Sequence, residues 1–146
     1  MIITSEGLIK RLTDMWPDLK GFIYNADGTY WMPTFRDLEW LMVDTFFNEY
    51  GWTREIFDCD DFSLCLHAFV VQGRYKQMME KKLTKEERLP WSFGQAWMRK
   101  YRGNIGGHAI NICITRDKGM ILIEPQSDML LWEANNETDN CYYVRI

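Results

Sequence analysis

The sequence predicts an α+β domain, with helices first and an antiparallel sheet last. Two observations carry this. Apolar residues recur at helical spacing in three stretches between Glu6 and Gly73, and Ile-rich runs at Gly107–Thr115 and Met120–Glu124 flank the turn signal Arg116-Asp117-Lys118-Gly119. Helical patterns followed by strand patterns, without alternation, indicate α+β and not α/β. With 146 residues and 47% hydrophobic composition, the chain 1–146 is expected to be one domain with its own core.

Taken in order, Ser5 can cap a helix over Glu6–Met15, whose stripe is Leu8, Ile9 and Leu12 and whose stop is Pro17. Gly21–Met32 contains Asn25-Ala26-Asp27-Gly28, a turn signal between two aromatic runs, and reads as a short hairpin or extended loop. Thr34 caps a second helix, with Asp37 at the capping-box position and Phe35, Leu38, Leu41, Met42 and Phe46 on its buried side; Gly51 suits its C-terminal cap. A third helix follows Asp58-Cys59-Asp60-Asp61-Phe62-Ser63, its apolar residues falling at Phe62, Cys65, Leu66, Phe69 and Val70, and is expected to end near Gly73. Lys76–Arg88 reads as a charged, solvated loop, and Pro90–Met98 as a compact aromatic segment with helical character, Gln95 being its polar residue nearest a functional role. Strands at Met129–Trp132 and Cys141–Ile146 close the chain.

Composition removes several functions. A net charge of −4 leaves no nucleic-acid footprint, and no apolar run reaches the roughly 18 residues of a membrane-spanning helix. The N-terminus has no signal-peptide pattern, so a cytoplasmic protein with protein or peptide partners is expected. Cys59, Cys65, Cys113 and Cys141 form no CxxC pair, which favours free thiols over a zinc site or a disulfide framework.

The chemistry centres on Cys59. At a helix start, unpaired N–H groups and the positive end of the macrodipole favour a thiolate, whereas Asp58, Asp60 and Asp61 oppose it by anion repulsion. A compensating cation is required. His67 lies two turns along the same helix, too far to serve, which leaves His108. If Thr115 pairs with Gly119, His108 lies opposite Gln126 and Ile110 opposite Glu124, so His108, Glu124 and Gln126 share one sheet face. Thiol, imidazole and orienting acid or amide are then the parts of cysteine-dependent acyl transfer. Alone, Cys59 reads as a passive helix-start residue, the aspartates as caps, and His108 as a core histidine.

These motifs, Asp58-Cys59-Asp60-Asp61-Phe62-Ser63, Gly107-His108-Ala109 with Asn111, and Glu124-Pro125-Gln126, resemble the agglutinin C-terminal family of papain-like cysteine peptidases, found fused to fungal lectins. The resemblance runs from Trp52 to Ser127. It implies a papain-like fold, peptidase activity with Cys59 as nucleophile, His108 as general base and acid and Glu124 as orienting acid, and calcium held by Asp60 and Asp61. The chain departs from papain-like enzymes in having no Gln between Trp52 and Asp58 to act as a second oxyanion donor. Hydrolysis, deamidation and transglutamination share such a nucleophile and stay open. The alternative is a non-catalytic protein-binding module on the same scaffold, using its Trp-rich surface and calcium.

Overall fold

The structure is a computed structural model that describes residues 1–19, 22–132 and 140–146. Its centre is a six-stranded sheet in the order β2-β8-β4-β5-β6-β7, formed by β2 (Ile23–Tyr24), β4 (Phe93–Tyr101), β5 (Asn104–Thr115), β6 (Gly119–Glu124), β7 (Met129–Trp132) and β8 (Asn140–Arg145). β1 (Ile2–Thr4) and β3 (Thr29–Trp31) form a separate antiparallel pair. The helices are α1 (Ser5–Met15), α2 (Phe35–Val43) and α3 (Cys59–Met79), with short 3₁₀ turns at Pro17–Leu19 and Phe47–Glu49.

Period-two alternation along the central strands explains the layering. Ile110, Ile112 and Ile114 of β5 join Met120 and Leu122 of β6 in one core with Leu8 and Leu12 of α1. The intervening Cys113, Ile121 and Ile123 join a second core with Leu38 and Met42 of α2 and Phe62, Leu66 and Val70 of α3. The inner strands are therefore buried on both faces, which is why their sequence is apolar almost throughout.

Several expectations are corrected. The sheet is mixed and not antiparallel, because β2 lies parallel to β8. β2 and β3 do not form a hairpin with each other; β3 pairs with β1, and Gly21, where that region was expected to begin, lies outside the described residues. Thr4, not Ser5, caps α1, its hydroxyl accepting from the Gly7 N–H at 3.2 Å. α2 stops at Val43, well before Gly51, although its Thr34–Asp37 capping box is formed. α3 runs through Gly73 to Met79, since the following residues are good helix formers and one glycine inside a helix costs only about 1 kcal/mol.

Phe93–Tyr101 is a strand and not a helical segment. It turns into β5 through Arg102 and Gly103, whose φ values of 49° and 82° are those a tight two-residue hairpin requires. Gly94 in β4 is obligatory for another reason: a Cβ there would collide with the Arg145 carbonyl of β8. Close approach of β8 to β4 thus depends on that glycine.

Candidate functional site

Cys59 is the first residue of α3. Asp58 precedes the helix in extended conformation, its carbonyl accepting from the Phe62 N–H at 3.0 Å, while the Asp61 carboxylate reaches back to the Asp58 N–H at 3.2 Å. A buried network fixes α3 on the sheet. The Ser63 hydroxyl donates to the Ile110 carbonyl at 3.1 Å, and the Asn111 amide donates to the carbonyls of Ser63 at 3.0 Å and Gly94 at 3.1 Å. Gln95, fully inside, donates to the Ser63 hydroxyl at 3.3 Å. Its place is in this clamp, away from the thiol.

His108 enters from β5. The β5–β6 ladder pairs Thr115 with Gly119 and continues to Asn111 with Ile123, which sets Glu124 diagonally across from His108. Their side chains meet: His108 Nε2 and Glu124 Oε2 are 2.7 Å apart, with only 25% and 15% of the side chains exposed. Nε2 is thereby engaged with Glu124, and the Cys59 thiol is close enough to act on the ring electrostatically. Burial is the largest single influence on His108 and pulls its pKa down, but the hydrogen bonds and charges of Cys59 and Glu124 outweigh it and raise the group to about 9. The ring is stacked on Tyr101, centroids 5.1 Å apart. Beside it opens a cleft of about 270 Å³ lined by Tyr101, Ile105, Gly106, Gly107 and His108.

Of the residues singled out in the sequence, Cys59, His108 and Glu124 are thus brought together. Gln126 is not a strand partner of His108. β6 ends at Glu124, Pro125 begins a turn, and what Gln126 contributes is its backbone N–H, 3.5 Å from Glu124 Oε1. Asp60 and Asp61 do not form a paired calcium site. Asp61 is engaged as the helix cap, and the Asp58 and Asp60 carboxyls interact, which together with burial raises the Asp60 pKa, while on Asp58 the same interaction outweighs burial and holds it below its ordinary value. The ligand atoms that converge, within 4.8 Å of one another, belong to Asp58, Cys59 and Asp60. A thiol and two carboxylates are a poor match for a hard cation that takes six to eight oxygens, so these residues do not fit calcium.

Sequence reasoning missed Tyr101 and the Gly106–Gly107 wall of the cleft. The available signal was Tyr101-Arg102-Gly103, an aromatic followed by a tight-turn pair.

No protein-family model and no curated protein sequence matches the chain. Solved structures do. A complex of PSL1a with E64 matches with TM-score 0.75 at 21% identity, covering 99% of this chain and 51% of that one. Polyporus squamosus lectin bound to the human-type influenza-binding epitope Neu5Acα2-6Galβ1-4GlcNAc matches with TM-score 0.74 at 20% identity, covering 99% and 49%. The chain therefore spans about half the length of these lectin chains and shares their fold over that half. This corrects the expected papain-like fold, the expected membership of the agglutinin C-terminal peptidase family, and the cysteine peptidase or acyl-transfer activity that rested on them. The physical reason is scale: a few residues around a thiol, an imidazole and a carboxylate specify a local arrangement, not a global fold or a reaction.

Proposed function

We propose that this chain is a non-catalytic binding module that takes a glycan, or a ligand of similar polarity, in the cleft beside His108, and that it works as one half of a longer lectin-like architecture. The observation that carries the reading is its match, over 99% of its length, to half of a lectin chain. The cleft chemistry supports it. A cationic imidazole held by Glu124 offers a charge-assisted donor, and the Tyr101 ring and the open Gly106–Gly107 backbone form a wall. No helix among the described residues is long and apolar enough to cross a membrane. The test is a screen against immobilised glycans that includes Neu5Acα2-6Galβ1-4GlcNAc, followed by calorimetric titration. Binding that weakens about tenfold or more in His108→Ala, with thermal unfolding still cooperative, supports the reading. Absence of binding to any glycan, or unchanged affinity in the variant, overturns it.

One observation favours a second reading, covalent capture of small electrophiles at Cys59: its thiol stands at the first residue of α3, beside the His108–Glu124 pair. With iodoacetamide the sulfur–carbon bond forms as iodide leaves. E64, the molecule bound to PSL1a, is the second probe. Modification confined to Cys59 and slowed in His108→Ala supports this reading; four cysteines reacting alike refute it.

A further inference from the structure

A larger cavity, of about 470 Å³, lies away from Cys59, between the C-terminal half of α3, the Tyr24–Tyr30 segment, residues 83–91 and the end of β8. Its size is that of a small-molecule site. Val70, Met78, Leu89, Phe93 and Ile146 give it apolar walls, and Tyr24, Tyr30, Tyr75 and Trp91 add rings.

Its charge sets it apart from the rest of the chain. Three arginines, Arg74, Arg88 and Arg145, line it against one acidic side chain, Asp27, with the α-carboxylate of the last residue, Ile146, also at the wall, although the whole protein carries −4. These arginines are not equivalent. Arg74 is engaged structurally: it donates to Gln77 Oε1 at 2.8 Å and to the carbonyls of Glu87 and Leu89, and its guanidinium lies 5.5 Å over the Trp91 ring. Exposed Arg145 has no acidic partner within salt-bridge distance among the described residues. His67, in the cavity wall, has its pKa lowered chiefly by burial and then by the Arg145 charge. The indole N–H of Trp91, buried in the same wall, has no hydrogen-bond partner among the described residues.

We propose that this cavity is a second binding site, for a small organic carboxylate whose apolar body, an alkyl chain or aromatic ring, packs along Val70, Met78 and Phe93 while its carboxylate meets Arg145. An apolar wall selects the body. The Arg145 guanidinium, without an acidic partner among the described residues, fixes the head by a charge-assisted, bidentate contact. The site shares no lining residue with the cleft beside His108, so it stands or falls independently of the glycan reading.

The experiment is NMR and calorimetric titration of the whole chain with octanoate and with its neutral analogue octanamide. Octanoate is expected to shift the His67 ring and Ile146 methyl resonances while leaving His108 in place, and to bind about tenfold or more tighter than octanamide. Arg145→Gln is expected to remove that preference without changing the thermal midpoint. Equal binding of the two probes, shifts centred on His108, no binding at millimolar octanoate, or an unaltered preference in Arg145→Gln would each overturn the proposal.

Discussion

The two histidines of this protein are both half-buried, one within α3 and the other on β5 beside the start of that helix, and are driven in opposite directions. His108 sits between the Glu124 carboxylate and the Cys59 thiol and is raised to about 9. His67, in the middle of α3, is lowered by burial and then by Arg145, with only the neutral amide of Gln95 opposing. Burial pulls both down, so burial is not what separates them. The sign of the neighbouring charge is. One end of α3 is built to hold a cation at the mouth of a cleft, and its middle is built to be neutral and rigid.

The interior half of this contrast is broken most severely at Asn111. Asn111→Ala removes the two side-chain bonds by which β5 holds the Ser63 carbonyl of α3 and the Gly94 carbonyl of β4. The expected loss is about 2–4 kcal/mol by urea denaturation, and retention of wild-type stability would show that the clamp is incidental.

The charged half is next. Glu124→Gln keeps the shape of the site but removes the carboxylate that holds His108 at 2.7 Å. The His108 midpoint should fall towards the ordinary 6.5, with a loss on the order of 2 kcal/mol of stability near neutral pH. The same linkage predicts opposite pH responses for the two rings. A folded-state pKa raised above its unfolded value of 6.5 gives His108 a stabilising contribution that is complete below pH 6.5 and lost as pH rises towards 9. His67, lowered from 6.5, destabilises the fold as pH falls below that value. Denaturation midpoints in wild type and in His67→Gln and His108→Gln should separate the two arms. The smallest effect belongs to Gln126, which contributes only a backbone N–H. Gln126→Ala should change stability by less than about 0.5 kcal/mol, and a larger loss would reveal a side-chain role.

Local chemistry was the legible part of this chain. Thr34 and Asp37 announced a capping box, the loop between Thr115 and Gly119 fixed the β5–β6 register, and Asp58 marked the start of α3. Each depends on neighbours in sequence. What escaped depends on distant partners or on burial of both faces. Phe93-Gly94-Gln95-Ala96-Trp97-Met98 shows no two-residue alternation because β4 is covered on both sides, so it reads as easily helical as extended. The parallel β2–β8 pair joins residues more than a hundred positions apart, and nothing near Ile23 signals it. Gln126 was placed on a strand because the hairpin register was extended past Pro125, a residue that cannot donate to a ladder. The meeting of Cys59, His108 and Glu124 could be anticipated from register and helix phase; the larger fold around it could not, and three short motifs pointed to the wrong architecture and activity.

Most direct for the claim that charge, and not burial, distinguishes the start of α3 from its middle is an NMR pH titration of the two histidine ring protons in the native chain. His108 is predicted to titrate near 9 and His67 below 6.5. Two coincident midpoints near 6.5 would contradict it, and with it the assignment of the cleft beside His108 as the functional site.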